Sequence, residues 1–232
     1  PLLFVFDVLL GTVSIPLQEF KMLLLDQEIN RANEIIILKS RIPKALTAII
    51  CGSALAISGL LMQTLFRNPL AGPYILGVSS GAGLGVAFLV MGAGLIGLSV
   101  TDSVSLSIAS MIGSFGILFI LFLVSLRVKD VMTLLILGIM IGSIATAFIG
   151  LIQYFTSDAQ LKSFLIWTLG SLESVSFENL RVMTCILIPS FMLSFVISKN
   201  LNAILLGDNY ARSIGISLKS SRLLIIITAG AL

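Results

Sequence analysis

Four stretches of this chain are long enough to cross a bilayer and carry no charged side chain. They cover about Tyr74 to Val100, Val104 to Leu126, Val131 to Thr156 and Val182 to Ser198. A fifth, Ile42 to Phe66, has a single charge, Lys44, at its start. A membrane-spanning helix needs roughly 20 mostly apolar residues. Only helices and closed barrels satisfy their backbone hydrogen bonds in lipid. Of the 232 residues 57% are hydrophobic and 11% charged, with a mean hydropathy of +1.13, whereas soluble domains carry about 25% charged residues. The expected fold class is all-α: a polytopic helical membrane protein, with residues 1–232 forming one membrane domain. Residues 1–10 are apolar but short and interrupted by Asp7, so they read as the end of one helix. Leu223 to Leu232 reads as the beginning of another.

The segments between the spans carry the finer signals. Arg67-Asn-Pro-Leu-Ala-Gly-Pro73 places two prolines and a glycine between two spans, which enforces a tight non-helical connection. Residues 200–216 (NLNAILLGDNYARSIGI) are too short and too polar to span. They divide into two short helical pieces, with Gly207 as the break, Asp208 as a cap for the second piece and Gly215 as its end. Such a pair suits either an interfacial linker or a docking surface for a soluble partner. Phe155 to Leu172 predicts a short interfacial helix with Trp167 at headgroup depth, and Ser14-Ile-Pro16 predicts the start of another. Gly77, Gly81 and Gly85 recur every four residues. So do Gly138 with Gly142 and Ala109 with Gly113. This spacing lets helix backbones approach closely.

Charge gives orientation only in part. The fourteen Lys and Arg split evenly between the two sides, with Arg67, Arg127, Lys129, Lys199, Arg212, Lys219 and Arg222 on one of them. Omitting the long first loop with its boundary Lys44 leaves seven against two, which makes that side cytoplasmic by the positive-inside rule.

Several function classes are excluded or disfavoured. Histidine is absent, removing the commonest metal ligand and general base. Cys51 and Cys185 lie within apolar runs without metal or disulfide spacing. No Gly-Lys dipeptide occurs, so the glycine-rich GVSSGAGLG is not a nucleotide P-loop. No ionisable residue sits at membrane depth, where a proton relay would need one. Basic residues do not cluster with aromatics, so nucleic acid is not an expected partner. An ion-gradient carrier and a non-transporting membrane scaffold remain as alternatives to an ATP-driven permease.

Arg41 to Gly85 (RIPKALTAIICGSALAISGLLMQTLFRNPLAGPYILGVSSGAGLG) resembles the signature region of FecCD-type ABC permeases, which import iron-siderophore, haem and cobalamin-type substrates. The matching pieces are R-x-P-[RK], then G-x-x-L-x-x-S-G-x-x-x-Q at Gly52, Leu55, Ser58, Gly59 and Gln63, then R-N-P-L-A-x-P from Arg67, Asn68 and Pro69, and L-G-x-S-x-G-A. Gly207, Ala211, Arg212 and Gly215 match the same family's L-G-x-x-x-A-R-x-x-G segment. The resemblance implies a ten-helix permease, here running from the end of helix 1 to the beginning of helix 7, multi-pass in the bacterial cytoplasmic membrane. It also implies a second permease copy or paralogue, two cytoplasmic ABC ATPases holding ATP and magnesium, and an extracytoplasmic substrate-binding protein. This chain would bind no cofactor and perform no catalysis. Leu206, Gly207, Asp208, Ala211, Arg212 and Gly215 would engage the ATPase, while Arg41 and Lys44 would pair with acidic knobs on the binding protein. Gln63, Arg67, Asn68, Pro69, Gly77, Gly81 and Gly85 would serve helix packing or the pathway. The expected cargo is a metal chelate, ferric siderophore first, with cobalamin and haem next.

Overall fold

The structure is a computed structural model that describes all residues except 1, 12, 26, 28, 94–101, 129, 173 and 174, and omits the side chains of Leu2 and Leu24. Its contacts fall into two compact units, Pro1–Ser53 with Ser171–Cys185, and Ala54–Gly170 with Ile186–Leu232. Among the described residues every regular element is helical.

In the first unit, α1 (Leu2–Leu9) is followed by α2 (Leu17–Leu24), with Pro16 immediately before it, where its missing N–H costs nothing. Asn30 caps α3 (Arg31–Ile36) by accepting from the Ala32 N–H at 3.0 Å. The Asn33 side chain donates to Glu19 at 2.7 Å, tying α3 to α2. A π-helical turn, Ile37–Arg41, then leads without interruption into α4 (Ile42–Phe66). Pro43 accounts for this turn, since its ring would crowd the Lys39 carbonyl in a regular helix. Widening that turn relieves the clash, and a π-turn also re-aims the side chains around it. The one re-aimed here is Arg41.

The second unit takes up the C-terminal part of α4 and adds a 3₁₀ turn (Pro73–Leu76) and α5 (Val78–Ala87), which runs on as a π-turn through Gly92. Then follow α6 (Ser103–Ser125), α7 (Val131–Tyr154), α8 (Asp158–Leu169), α9 (Phe177–Leu205), whose first turns lie in the other unit, α10 (Asp208–Ser213) and α11 (Leu218–Ala231). Asp102 and Asp130 cap α6 and α7, accepting from the backbone N–H of Ser105 at 2.9 Å and of Thr133 at 2.8 Å. The larger core runs from Leu61, Met62 and Leu65 through Leu121 to Ile197, Ile204, Ala211 and Ile225. A smaller one joins Val86, Val90 and Met91 to Phe164, on which Trp167 stacks at 6.3 Å.

Among the described residues four helices are long and apolar enough to cross a membrane: Arg31–Phe66, Ser103–Ser125, Val131–Tyr154 and Phe177–Leu205. They meet four of the five expected spans. The expected span from Tyr74 to Val100 is corrected over its described part, and residues 94–100 lie outside the described residues. It opens as a 3₁₀ turn, breaks at Gly77 (φ +73°), and becomes a helix only from Val78. The three glycines therefore do not share one face of one helix. Gly81 and Gly85 lie against Gly113 and Ala109 of α6, so closely that a Cβ at Gly85 would overlap the Ala109 carbonyl oxygen. Gly77 instead meets α7, where a Cβ would come within 2.9 Å of the Gly142 Cα. A second correction concerns residues 200–205. They are not a separate short helix but the last turns of α9, because Leu201 and Ile204 stay buried in the same core.

Gly85→Val should force α5 off α6, since backbone cannot yield as a side-chain tip can. The expected loss is about 1–3 kcal/mol or more, typical of overpacking. It reads as a lowered thermal midpoint in detergent, against little change for Gly116→Ala, where a Cβ meets open space.

Candidate docking and coupling site

The end of α4 explains the first part of the site. The Arg67 N–H bonds the Thr64 carbonyl and the Asn68 N–H bonds the Gln63 carbonyl, a Schellman closure. The left-handed residue that this closure requires is usually glycine, but here it is Arg67, at φ +48°. From that position the guanidinium donates to the Ile204 carbonyl and to Asp208 Oδ1, both at 2.7 Å. Arg222 of α11 donates to Asp208 Oδ2 at 2.6 Å. Gln63 folds back to the Pro69 carbonyl at 3.1 Å, and Asn68 Oδ1 accepts from the Leu70 N–H, so the intervening turn is internally bonded.

Between these arginines lies α10. Gly207, at φ +122°, breaks the chain before it. At its far end the Gly215 and Ile216 N–H groups close onto the Arg212 and Ala211 carbonyls, with Gly215 at φ +87°. Asp208 is the first residue of α10, yet its side chain makes no cap bond. The expected capping role is thus corrected: the carboxylate is drawn aside by the two arginines. Ala211 is fully buried against the core, so it does not line an outer face. Exposed instead are Leu206 (69%), Tyr210 (48%) and Ile214 (52%), four residues apart, with Arg212 beside them. Ile214 reads from the sequence as an apolar position of this piece together with Ala211, whereas Tyr210 is not singled out there. Its four-residue spacing from Leu206 was the available signal.

In the first unit the two basic residues part company. Arg41 is 6% exposed, and its guanidinium donates to the Val8 and Leu9 carbonyls at 2.9 Å and to that of Val13. It closes the C-terminal end of α1, where a cation suits the helix dipole. Gly11 leaves the room, since a Cβ there would come within 2.8 Å of the guanidinium. Lys44 is half-exposed and lies 3.8 Å from Asp7. Such exposed pairs contribute little, so its charge is available to a partner.

A cavity of about 340 Å³ opens beside the Gly77 break, between the 3₁₀ turn with α5 and the helix α7. Tyr74, Ser80, Ser143 and Thr146 bring hydroxyls to it, and Thr146 donates to Ser80 at 3.4 Å. Buried Ser58 donates to the Ala229 carbonyl at 2.6 Å, bonding α4 to α11. Among the described residues no three Cys, Asp or Glu converge as a metal site would need.

A helical membrane unit with a segment broken at Gly77, close glycine contacts and an anchored exposed helix defines the class: a permease of the ABC importer fold. The chain belongs to the FecCD transport family, whose model matches residues 1–232. It is 34% identical over 199 residues to the hemin transport system permease protein HmuU of Yersinia pestis, covering 84% of this chain and 58% of that protein. To the vitamin B12 import system permease protein BtuC of Klebsiella pneumoniae it is 33% identical over 197 residues, covering 85% and 58%. The chain thus spans somewhat over half the length of these relatives. An inward-facing structure of a transporter assigned to the metal-chelate type superposes with a TM-score of 0.79 at 27% identity, covering 100% of this chain and 71% of that one.

The Asp130 carboxyl lies below its ordinary pKa, chiefly through hydrogen bonds from the Thr133 side chain and backbone, with the Arg222 charge adding a little. A depressed folded value means that the cap's contribution is complete above the unfolded pKa of about 3.9. It is lost as pH falls through the lower folded value. Amide protection of residues 131–134 should therefore fall at acid pH. In Asp130→Asn, which still caps but cannot ionise, that acid limb should flatten.

Proposed function

We propose that this chain supplies membrane-spanning helices to an ATP-driven importer of a metal chelate. The observation carrying this reading is the exposed set Leu206, Tyr210 and Ile214, on and flanking the short helix α10 beside Arg212, with that helix fixed to the body by Arg67 and Arg222. An exposed apolar set with one cation, presented by a short helix and its two ends, suits the groove of a soluble ATPase. Gly207, Asp208, Ala211 and Gly215 shape and seat that helix from behind, and Leu206 and Arg212 make the contact. Two such ATPases would hold ATP and magnesium and drive the permease between its states. A second permease copy would complete the pathway, within a bacterial cytoplasmic membrane. Lys44 is the contact for an extracytoplasmic binding protein, and Arg41 binds the Val8, Leu9 and Val13 carbonyls beside it. The hemin and vitamin B12 names of the relatives favour a metal chelate as cargo. Ferric siderophore, haem and cobalamin are the three candidates.

Leu206→Asp with Ile214→Asp should abolish co-purification of the ATPase with the assembled permease, and Arg212→Ala should weaken it. Undiminished co-purification of the double variant would remove the docking role. Lys44→Glu should weaken binding-protein docking, most at low ionic strength where charge is least screened. Titration of that binding protein with a ferric siderophore, haem and cobalamin identifies the cargo.

A further inference from the structure

We propose that Asp208 is a positioning residue that, through Arg67, carries movement of the docking helix to the wall of the hydroxyl-lined cavity. This rests on the docking reading of α10 but assigns Asp208 a different task from gripping the ATPase.

The two carboxylate oxygens are divided between two elements. Oδ1 takes Arg67, at the end of α4, and Oδ2 takes Arg222, near the start of α11. Charge-assisted bonds of this length fix direction as well as separation. Partial exposure makes them weak contributors to stability, so stability alone gives little reason for the arrangement. The backbone supplies another. A non-glycine residue in the left-handed region is held at a cost, and such strain gathers where it serves function. Glycine would close α4 more comfortably than Arg67, but glycine could reach neither Asp208 nor the Ile204 carbonyl. Asn200 adds a parallel tie, donating to Ser221 of α11 at 2.9 Å, and Ala211 seats α10 on the core without a gap.

What Arg67 leads into completes the path. The bonded turn from Asn68 to Leu70 runs through the 3₁₀ turn to Gly77, and Gly77 touches Gly142 of α7 backbone to backbone. Tyr74, Gly77 and Gly142 all line the cavity. A displacement of α10 is therefore applied, through Asp208 and Arg67, to the segment that forms one wall of that cavity.

The test uses the assembled importer in nanodiscs, with Cys51 and Cys185 replaced by serine and spin labels at Tyr74→Cys and Ser143→Cys. ATP with vanadate should shift the label-to-label distance. In the assemblies that retain the ATPase, isolated by co-purification, Asp208→Asn and Arg67→Gly should abolish the shift. Asp208→Glu should restore it. Arg67→Gly should keep or raise the thermal midpoint, because it relieves the strained backbone, which a merely structural role would not allow. If the shift persists in both variants, or if both release the ATPase, the proposal is overturned. Should Asp208→Asn fail to assemble, Arg67→Gly decides alone by the same distance. Failure of the docking reading is separate, shown by ATPase retained in Leu206→Asp/Ile214→Asp.

Discussion

Unsatisfied carbonyls at helix ends are the constraint from which this structure's chemistry follows. A spanning helix satisfies its own interior, but its last turn leaves acceptors over, and near hydrocarbon those acceptors are costly. Two of the ends take an arginine from elsewhere in the chain. Arg41 closes α1, and Arg67 reinforces the end of α9 at the Ile204 carbonyl, which also accepts from the Gly207 N–H. A guanidinium suits the task because it presents several donors in a fixed fork and stays charged. In both places the arginine is aimed by an unusual backbone, a π-turn before Pro43 for Arg41 and a left-handed residue for Arg67.

The middles of the helices obey a different rule. With lipid on one side and helix on the other, apolar contact alone does not choose a partner, and close backbone approach does. Gly81, Gly85 and Gly113 let α5 lie on α6, and Gly77 does the same for α7. Ser58, bonding to the Ala229 carbonyl, adds one directional contact deep in the core.

The long helices were legible because their signal is cumulative: twenty uncharged residues leave few other outcomes. Small-residue spacing showed which segments pack closely, but not that Gly77 and Gly81 serve different partners, since that depends on a left-handed turn between them. The short segment at 200–216 was legible as a break and as an exposed helix. Its inward and outward faces were not. The family resemblance sets Ala211 and Asp208 against the ATPase, yet Ala211 is buried by the core and Asp208 is taken by arginines 141 and 14 residues away in sequence. Arg41 shows the same limit. The resemblance pairs it with a binding protein, and only the fold reveals the Val8, Leu9 and Val13 carbonyls to which it donates.

The Arg67 position joins these two rules. A helix end needing closure would ordinarily take glycine, and the sequence instead keeps a long cation under backbone strain. One side chain then serves two ends, reinforcing α9 and fixing α10, while its own backbone closes α4. Three elements thereby meet at one residue, and none of them can move far without disturbing the others. On the proposed docking reading, a push on α10 would meet this bonded junction directly. Glycine at position 67 would close the helix equally well and leave α10 held by Arg222, by buried Ala211 and by the chain itself.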